Sequence, residues 1–397
     1  MHSLFPPSND LKIRYFRIQQ LLKEQQTESC CIHSVVNIYY LTGSVFDGYI
    51  YLSQEDEPLF FVRKTGSFDH PHALSIRKPE DIPLLLQKLN RPLPATLALE
   101  ADQLSYSEYI RLQTVFQPEK TTNATALLRR SRMLKTPWEI EQFRYSAARQ
   151  AEVYQKIPSF FSPGMTDVEL QCKIEQEMRR QGSIGIFRAF GSNMDIFMGS
   201  VLTGNNAETP SPYDYALGGG GIHPSLPIGA NGSIIEKGQS LMVDMTGNFT
   251  AYQSDMTRVY VFGQLPEKAC QMHRLSIAMH QWLMENGKPG LACAAIYEQT
   301  VKMAADAGFS DYFMGTRQQA KFVGHGVGIE INECPVLSAR SQDVLLQGMV
   351  FAYEPKFVLP AVGAVGIENT YLVTENGIEK LTGVEEGLIG LFSQTTL

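Results

Sequence analysis

Five side chains between residues 244 and 368 have the types and settings to bind metal: Asp244 in LMVDMTG, Asp255 in QSDMTR, His325 in GHGVG, Glu354 in VFAYEP and Glu368 in VGIEN. Carboxylates set in apolar, strand-like runs are costly unless something positive meets them. Asp244 and Asp255 flank a chain reversal expected near Phe249–Thr250, which makes them neighbours across an antiparallel pair. Glu354 and Glu368 repeat the arrangement around a turn expected near Pro360–Ala361, one glutamate opposite the other. Like charges side by side repel, and a divalent cation removes the penalty. One such pair is explained as well by a solvated sheet face with outward acids; two pairs and a histidine favour the ion. His325 lies between Gly324 and Gly326, and glycines permit positive φ and close approach of the backbone to an ion.

An oxygen-rich set with a single imidazole suits Mn²⁺, Fe²⁺, Co²⁺ or Zn²⁺ better than a thiolate-seeking metal. Two such ions, roughly 3.5–4 Å apart, would share a water, lower its pKa and polarise a carbonyl. Glu354, as ligand and adjacent base, would accept the proton of that water.

The elements that must position these residues are readable from periodicity. Residues 10–26 carry apolar side chains at helical spacing, with Asn9 or Asp10 as N-cap. Strands follow in CCIHSV, GYIYLS and PLFFVRK, with a short helix in VVNIYYLTG ending at Gly43. A helix in PEDIPLLLQKLN, a strand in TLALEAD and a helix in YSEYIRLQTVF complete a compact α/β region. Thr136, Pro137 and Glu139 form a strong helix start. Beyond it two long helices (about 137–160 and 166–182) precede a glycine-rich stretch, then mainly strands, with further helices around 266–285 and 292–307. This order predicts α+β, with domains at 1–130 and 131–397. The run from Phe187 to Pro224 either lines the pocket or forms a long surface loop.

Composition narrows the function. A chain of 397 residues exceeds one ordinary core. The net charge of −7, with no basic stripe, argues against nucleic acid. The six cysteines are scattered without CxxC spacing, which predicts a reducing interior rather than disulfides. No apolar h-region or spanning segment is visible, so the expected location is cytoplasmic, with no membrane partner.

VDMTG…SDMTR, GHGVG, YEP, GIEN and LVTENGIEKLT, together with VNIYYLTG and LKTPWEIEQFRYSA, resemble the creatinase/prolidase/methionine aminopeptidase family (M24-type), nearest its Xaa-Pro dipeptidase and aminopeptidase P-like members. The resemblance implies a small creatinase-type N-terminal domain, a "pita-bread" catalytic domain and a homodimer. It also implies two divalent ions, manganese foremost, and a small peptide or amide substrate. Asp244 would be bidentate on one ion, Asp255 and Glu368 would bridge both, and His325 with Glu354 would complete the other. A metal-bridged hydroxide would attack an amide bond next to proline.

Three positions depart from that pattern. Asn332 stands where such peptidases carry a histidine in HExP, with Glu333 and Pro335 kept. Ile228 stands at the histidine of an LPHG-like element, with His223 as its nearest stand-in. Gly366 replaces an arginine before the last Ile-Glu. Asparagine donates a hydrogen bond but does not titrate near neutrality, isoleucine does neither, and losing the arginine removes a bidentate carboxylate anchor. Cleavage of Xaa-Pro dipeptides is therefore expected to be slow or absent. The competing readings are a non-peptidase hydrolase or lyase of the same fold acting on a small amide-like metabolite, and a non-catalytic interaction protein retaining the scaffold.

Overall fold

The computed structural model describes residues 4–64, 66, 68–191, 198–213 and 215–391. The chain divides into two compact units, one of residues 1–132 with 136–138 and one of residues 133–135 with 139–397.

In the first unit the helix Ser8–Glu24 buries Tyr15, Ile18 and Leu22 at helical spacing. It begins two residues earlier than Asp10 and has Pro7 at the N-cap, with no side-chain cap bond. The unit's sheet comprises β1 (Ser29–Ile32), β2 (Gly48–Ser53), β3 (Leu59–Val62), β4 (Ala73–Ser75), β5 (Thr96–Leu99) and β6 (Lys120–Asn123), in the order β4-β3-β2-β1-β5-β6. The helix Val35–Thr42 stops at Gly43, which takes φ +70° and sends its N–H to the Tyr39 carbonyl, a left-handed cap that glycine adopts without penalty. Tyr51, Phe61, Leu97, Leu99, Leu112 and Phe116 form the core on one face of this sheet.

The second unit holds two facing sheets. One has the order β17-β9-β8-β7, from β7 (Gly199–Thr203), β8 (Ser240–Gly247), β9 (Ser254–Val261) and β17 (Ile389–Gly390). The other has the order β11-β10-β12-β15-β16, from β10 (Phe322–Gly326), β11 (Glu333–Ser338), β12 (Val350–Tyr353), β15 (Asn369–Val373) and β16 (Ile378–Lys380). A two-stranded ribbon of β13 (Lys356–Leu359) and β14 (Gly363–Gly366) extends the β12–β15 hairpin.

Strand alternation decides what faces what. In β8, Leu241, Val243 and Met245 pack with Tyr154, Leu170 and Ile174 of the helices Pro137–Tyr154 and Asp167–Arg180. The even-numbered residues, Asp244 among them, therefore turn to the opposite face. In β12 and β15, Phe351, Tyr353, Tyr371 and Val373 pack with Met272, Met279 and Ile296 of the helices Glu267–Asn286 and Cys293–Asp306. That leaves Ala352, Glu354, Glu368 and Thr370 on the other face, toward β9, where the Thr370 hydroxyl donates to the Asp255 carbonyl at 2.8 Å. Each fully buried aliphatic or aromatic side chain contributes about 1.5–3 kcal/mol, so the helix-facing residues hold the sheets while the opposed faces carry the acids. All six cysteines are free thiols.

Candidate metal centre

All five sequence-predicted ligands meet between these faces. Asp244 lies opposite Thr257, and Asp255 lies opposite Thr246, so the two aspartates are diagonal rather than direct neighbours on one face of β8 and β9. In the second hairpin Tyr353 pairs with Asn369 and Lys356 with Gly366. The intervening Glu354 and Glu368 are thereby opposite each other. His325 comes from β10, with Nε2 3.5 Å from Glu354 Oε1 and 3.9 Å from Asp255 Oδ2.

The glycines beside His325 serve the sheet rather than an ion. Neither has positive φ; a Cβ on Gly324 would sit 2.2 Å from the Ala352 carbonyl oxygen, and one on Gly326 2.1 Å from that of Cys334. Only glycine lets three strands close around the histidine.

Sequence reasoning missed a sixth member. Lys356 lies two residues beyond Glu354 in extended chain, so the two side chains share a face. Its fully buried Nζ is 2.7 Å from Glu354 Oε2, 2.9 Å from Asp244 Oδ2 and 3.0 Å from Glu368 Oε2. Burial opposes the charge of Lys356, but the three carboxylates outweigh it and hold the ammonium protonated well above the usual lysine range. Burial would likewise raise Asp244, yet the Lys356 charge holds its carboxyl below the ordinary value. Burial first, and the Asp244 charge second, push Asp255 up to about 7. Burial, with the Asp255 charge behind it, holds Glu368 well above the usual carboxylate range.

The donor atoms form two groups, each within 4.8 Å: Asp255, His325 and Glu368, and Asp244, Glu354 and Glu368. The first fits a divalent cation, because Glu368 Oε1 is buried there without a hydrogen-bond partner and the set mixes carboxylates with one imidazole. In the second the Lys356 ammonium already stands among the oxygens, so an ion does not fit beside it. The surroundings fix the frame: the Thr257 hydroxyl donates to Glu368 Oε2 at 2.7 Å, and the Arg258 guanidinium donates to the Glu368 carbonyl at 2.9 Å.

The other predicted site residues are placed differently. Asn332, expected to donate to a developing oxyanion, closes a two-way clamp on the Phe190 backbone, accepting at 2.7 Å and donating at 2.9 Å. Glu333 pairs with buried Lys135 at 3.2 Å and accepts from the Ile329 amide. His223 is exposed, bonded to the Ser225 hydroxyl at 2.8 Å, and belongs to neither ligand group, so it does not replace a lost histidine. Ile228 is buried. Gly366 takes φ +124°, and a Cβ there would lie 2.7 Å from the Pro355 carbonyl oxygen and 3.0 Å from Lys356 Cα, so position 366 has no room for a side chain. Of the glycine-rich run, residues 192–197 and Asp214 fall outside the described residues; residues 207–211, 213 and 215–218 line a cavity of about 330 Å³ with 315–316 and 318–322. Phe322 belongs both to that wall and to the strand of His325.

Comparison with known proteins agrees with this architecture. Residues 141–375 match the profile of metallopeptidase family M24, and residues 14–134 match that of the creatinase/prolidase N-terminal domain. The chain is 25% identical to the Xaa-Pro dipeptidase of Pyrococcus furiosus over 386 residues, covering 96% of this chain and all of that one. It resembles in fold the Xaa-Pro dipeptidase from Bacillus anthracis (TM-score 0.78, 22% identity, 96% of this chain and 99% of that one). The prolidase from Pyrococcus horikoshii is similar too (TM-score 0.76, 22% identity, 94% and 98% covered).

Proposed function

Because the chain belongs to metallopeptidase family M24, we propose that it is a metal-dependent hydrolase that cleaves an amide bond in a short peptide, of the Xaa-Pro dipeptidase and aminopeptidase class. The observation that carries this reading is the acid excess around Glu368. Its Oε1 is buried and unpartnered beside Asp255 and His325, and one lysine cannot balance four carboxylates. The relative from Pyrococcus furiosus supports the substrate class by its name.

A divalent cation held by Asp255, His325 and Glu368 would supply Lewis-acid polarisation and an acidified water. Manganese suits the donors best, with cobalt, zinc and iron as alternatives. Glu354 Oε1 faces His325, so it is the group placed to accept a proton, while its Oε2 is held by Lys356. The Lys356 ammonium keeps Asp244, Glu354 and Glu368 from recoiling from one another. With Asn332 bonded to Phe190 and no side chain at position 366, no asparagine donor serves the oxyanion and no arginine anchors the substrate carboxylate.

The test is turnover by the full chain, loaded with Mn²⁺, against Xaa-Pro dipeptides, longer Xaa-Pro peptides and small amides. We expect chelator-sensitive cleavage of a peptide, with free-carboxylate dipeptides among the slowest substrates. Cleavage of small amides alone would replace the peptidase reading, and no cleavage by a metal-loaded chain would remove the hydrolase reading.

A further inference from the structure

We infer that the ammonium of Lys356 permanently fills one of the two cation positions of this centre, so that the chain holds a single divalent ion. This rests on the metal-dependent reading above and specifies its stoichiometry and ligands.

The geometry is that of a saturated donor. An ammonium has three N–H bonds and no acceptor, and Lys356 Nζ has three carboxylate oxygens at 2.7, 2.9 and 3.0 Å. Those oxygens come from Asp244, Glu354 and Glu368, the same three residues whose atoms form one of the two ion-sized groups. A cation and this ammonium cannot share that space.

The lysine is also built in. Its backbone is pinned from both sides: it pairs with Gly366 across the ribbon, and its carbonyl accepts from the Met314 amide at 2.9 Å. Gly366 is held against it, with its own amide donating to His273 Nδ1 at 3.2 Å, and the missing Cβ is what lets Pro355 and Lys356 lie so close. The Lys356 side chain therefore leaves the sheet directly into the acids. Its side chain has no solvent exposure at all.

The remaining donors are complementary. Glu368 divides its two oxygens, Oε2 to the ammonium and Thr257, Oε1 to nothing. Glu354 divides likewise, Oε2 to the ammonium and Oε1 toward His325. A single ion at Asp255, His325 and Glu368 completes the pattern, leaving Asp244 as an anchor for lysine rather than a metal ligand. The charge supplied at the lysine position is single and fixed, with no open coordination site and no Lewis acidity.

The experiment is metal titration of the metal-depleted full chain with Mn²⁺, read by bound-metal analysis and electron paramagnetic resonance. The wild type should bind one ion with the signal of an isolated Mn²⁺. Lys356→Ala, prepared in Mn²⁺, should bind a second ion and show spin coupling between the two. Should that variant fail to fold, Asp244→Asn decides the matter: it keeps one ion, whereas Asp255→Asn loses it. Two ions in the wild type, or loss of the ion in Asp244→Asn, would overturn the inference and leave the metal-dependent reading intact. No ion in the folded wild type would overturn both.

Discussion

Glu100 and Glu368 are both buried carboxylates at a strand end, one in each unit, and they are satisfied in opposite ways. Glu100 accepts from the His33 and Ser34 amides at 2.5 and 2.7 Å and from the Ser34 hydroxyl and Asn37 amide, both at 2.6 Å. Every oxygen has donors, and no cation is needed. Glu368 has Thr257 and Lys356 on one oxygen and no partner on the other, with three further acids around it. Glu333 is intermediate, a carboxylate closed by one buried lysine and backbone amides. Burial alone thus says little about function; a buried acid whose local donors fall short marks the place where a ligand is wanted.

Each of these buried acids can be perturbed in turn. The largest effect belongs to Asp255→Asn, which removes a charge from the open ligand group. Metal affinity should fall by at least about 100-fold, the upper range seen even for outer partners of ligands, and hydrolysis should vanish. Metal analysis showing unchanged binding would contradict this. Next is Lys135→Met, which removes the buried ammonium paired with Glu333. Breaking a buried pair costs about 3–5 kcal/mol, so the denaturation midpoint should drop sharply while bound metal per folded chain stays constant. Glu100→Gln removes a charge from a fully bonded site, at a cost of about 1.5–3 kcal/mol. Its destabilisation should appear in the first unit, followed by hydrogen exchange in Val35–Thr42, with metal binding untouched.

The most gradual effect is with pH. Burial holds the Asp255 proton to about 7 in the metal-free fold, above its ordinary 3.8. The native state therefore binds more protons than the unfolded one between these values, and its stability falls as pH rises from about 4 through 7. A metal ion must displace that proton, so its apparent affinity rises over the same window. Melting curves with and without Mn²⁺ should diverge progressively as pH increases; parallel curves would contradict the placement of the ion against Asp255.

Much of this centre was legible in the sequence because alternation is a local rule. Turns midway between Asp244 and Asp255 and between Glu354 and Glu368 suffice to bring each pair to one face, though the diagonal offset of the aspartates depends on a register that spacing alone leaves open. Lys356 obeys the same parity as Glu354 and could have been found by it. Lysine after proline nonetheless reads as a surface residue, because its burial is set by the opposite sheet. The role of Asn332 had no local signal, since its partner Phe190 is 142 residues away. The need for glycine at 366 is equally non-local, arising from the backbone of Pro355 and Lys356 pressed against it. The helix starting at Ser8 rather than Asp10 shows the ordinary limit of reading caps from sequence, with Pro7 supplying the fixed φ in place of a capping side chain.

The most direct measurement is anomalous scattering from crystals of the full chain soaked in Mn²⁺. The account predicts one peak, bounded by Asp255, His325 and Glu368, with ordinary lysine density still joining Asp244, Glu354 and Glu368. A second peak where Lys356 Nζ now stands, or no peak beside His325, would contradict it.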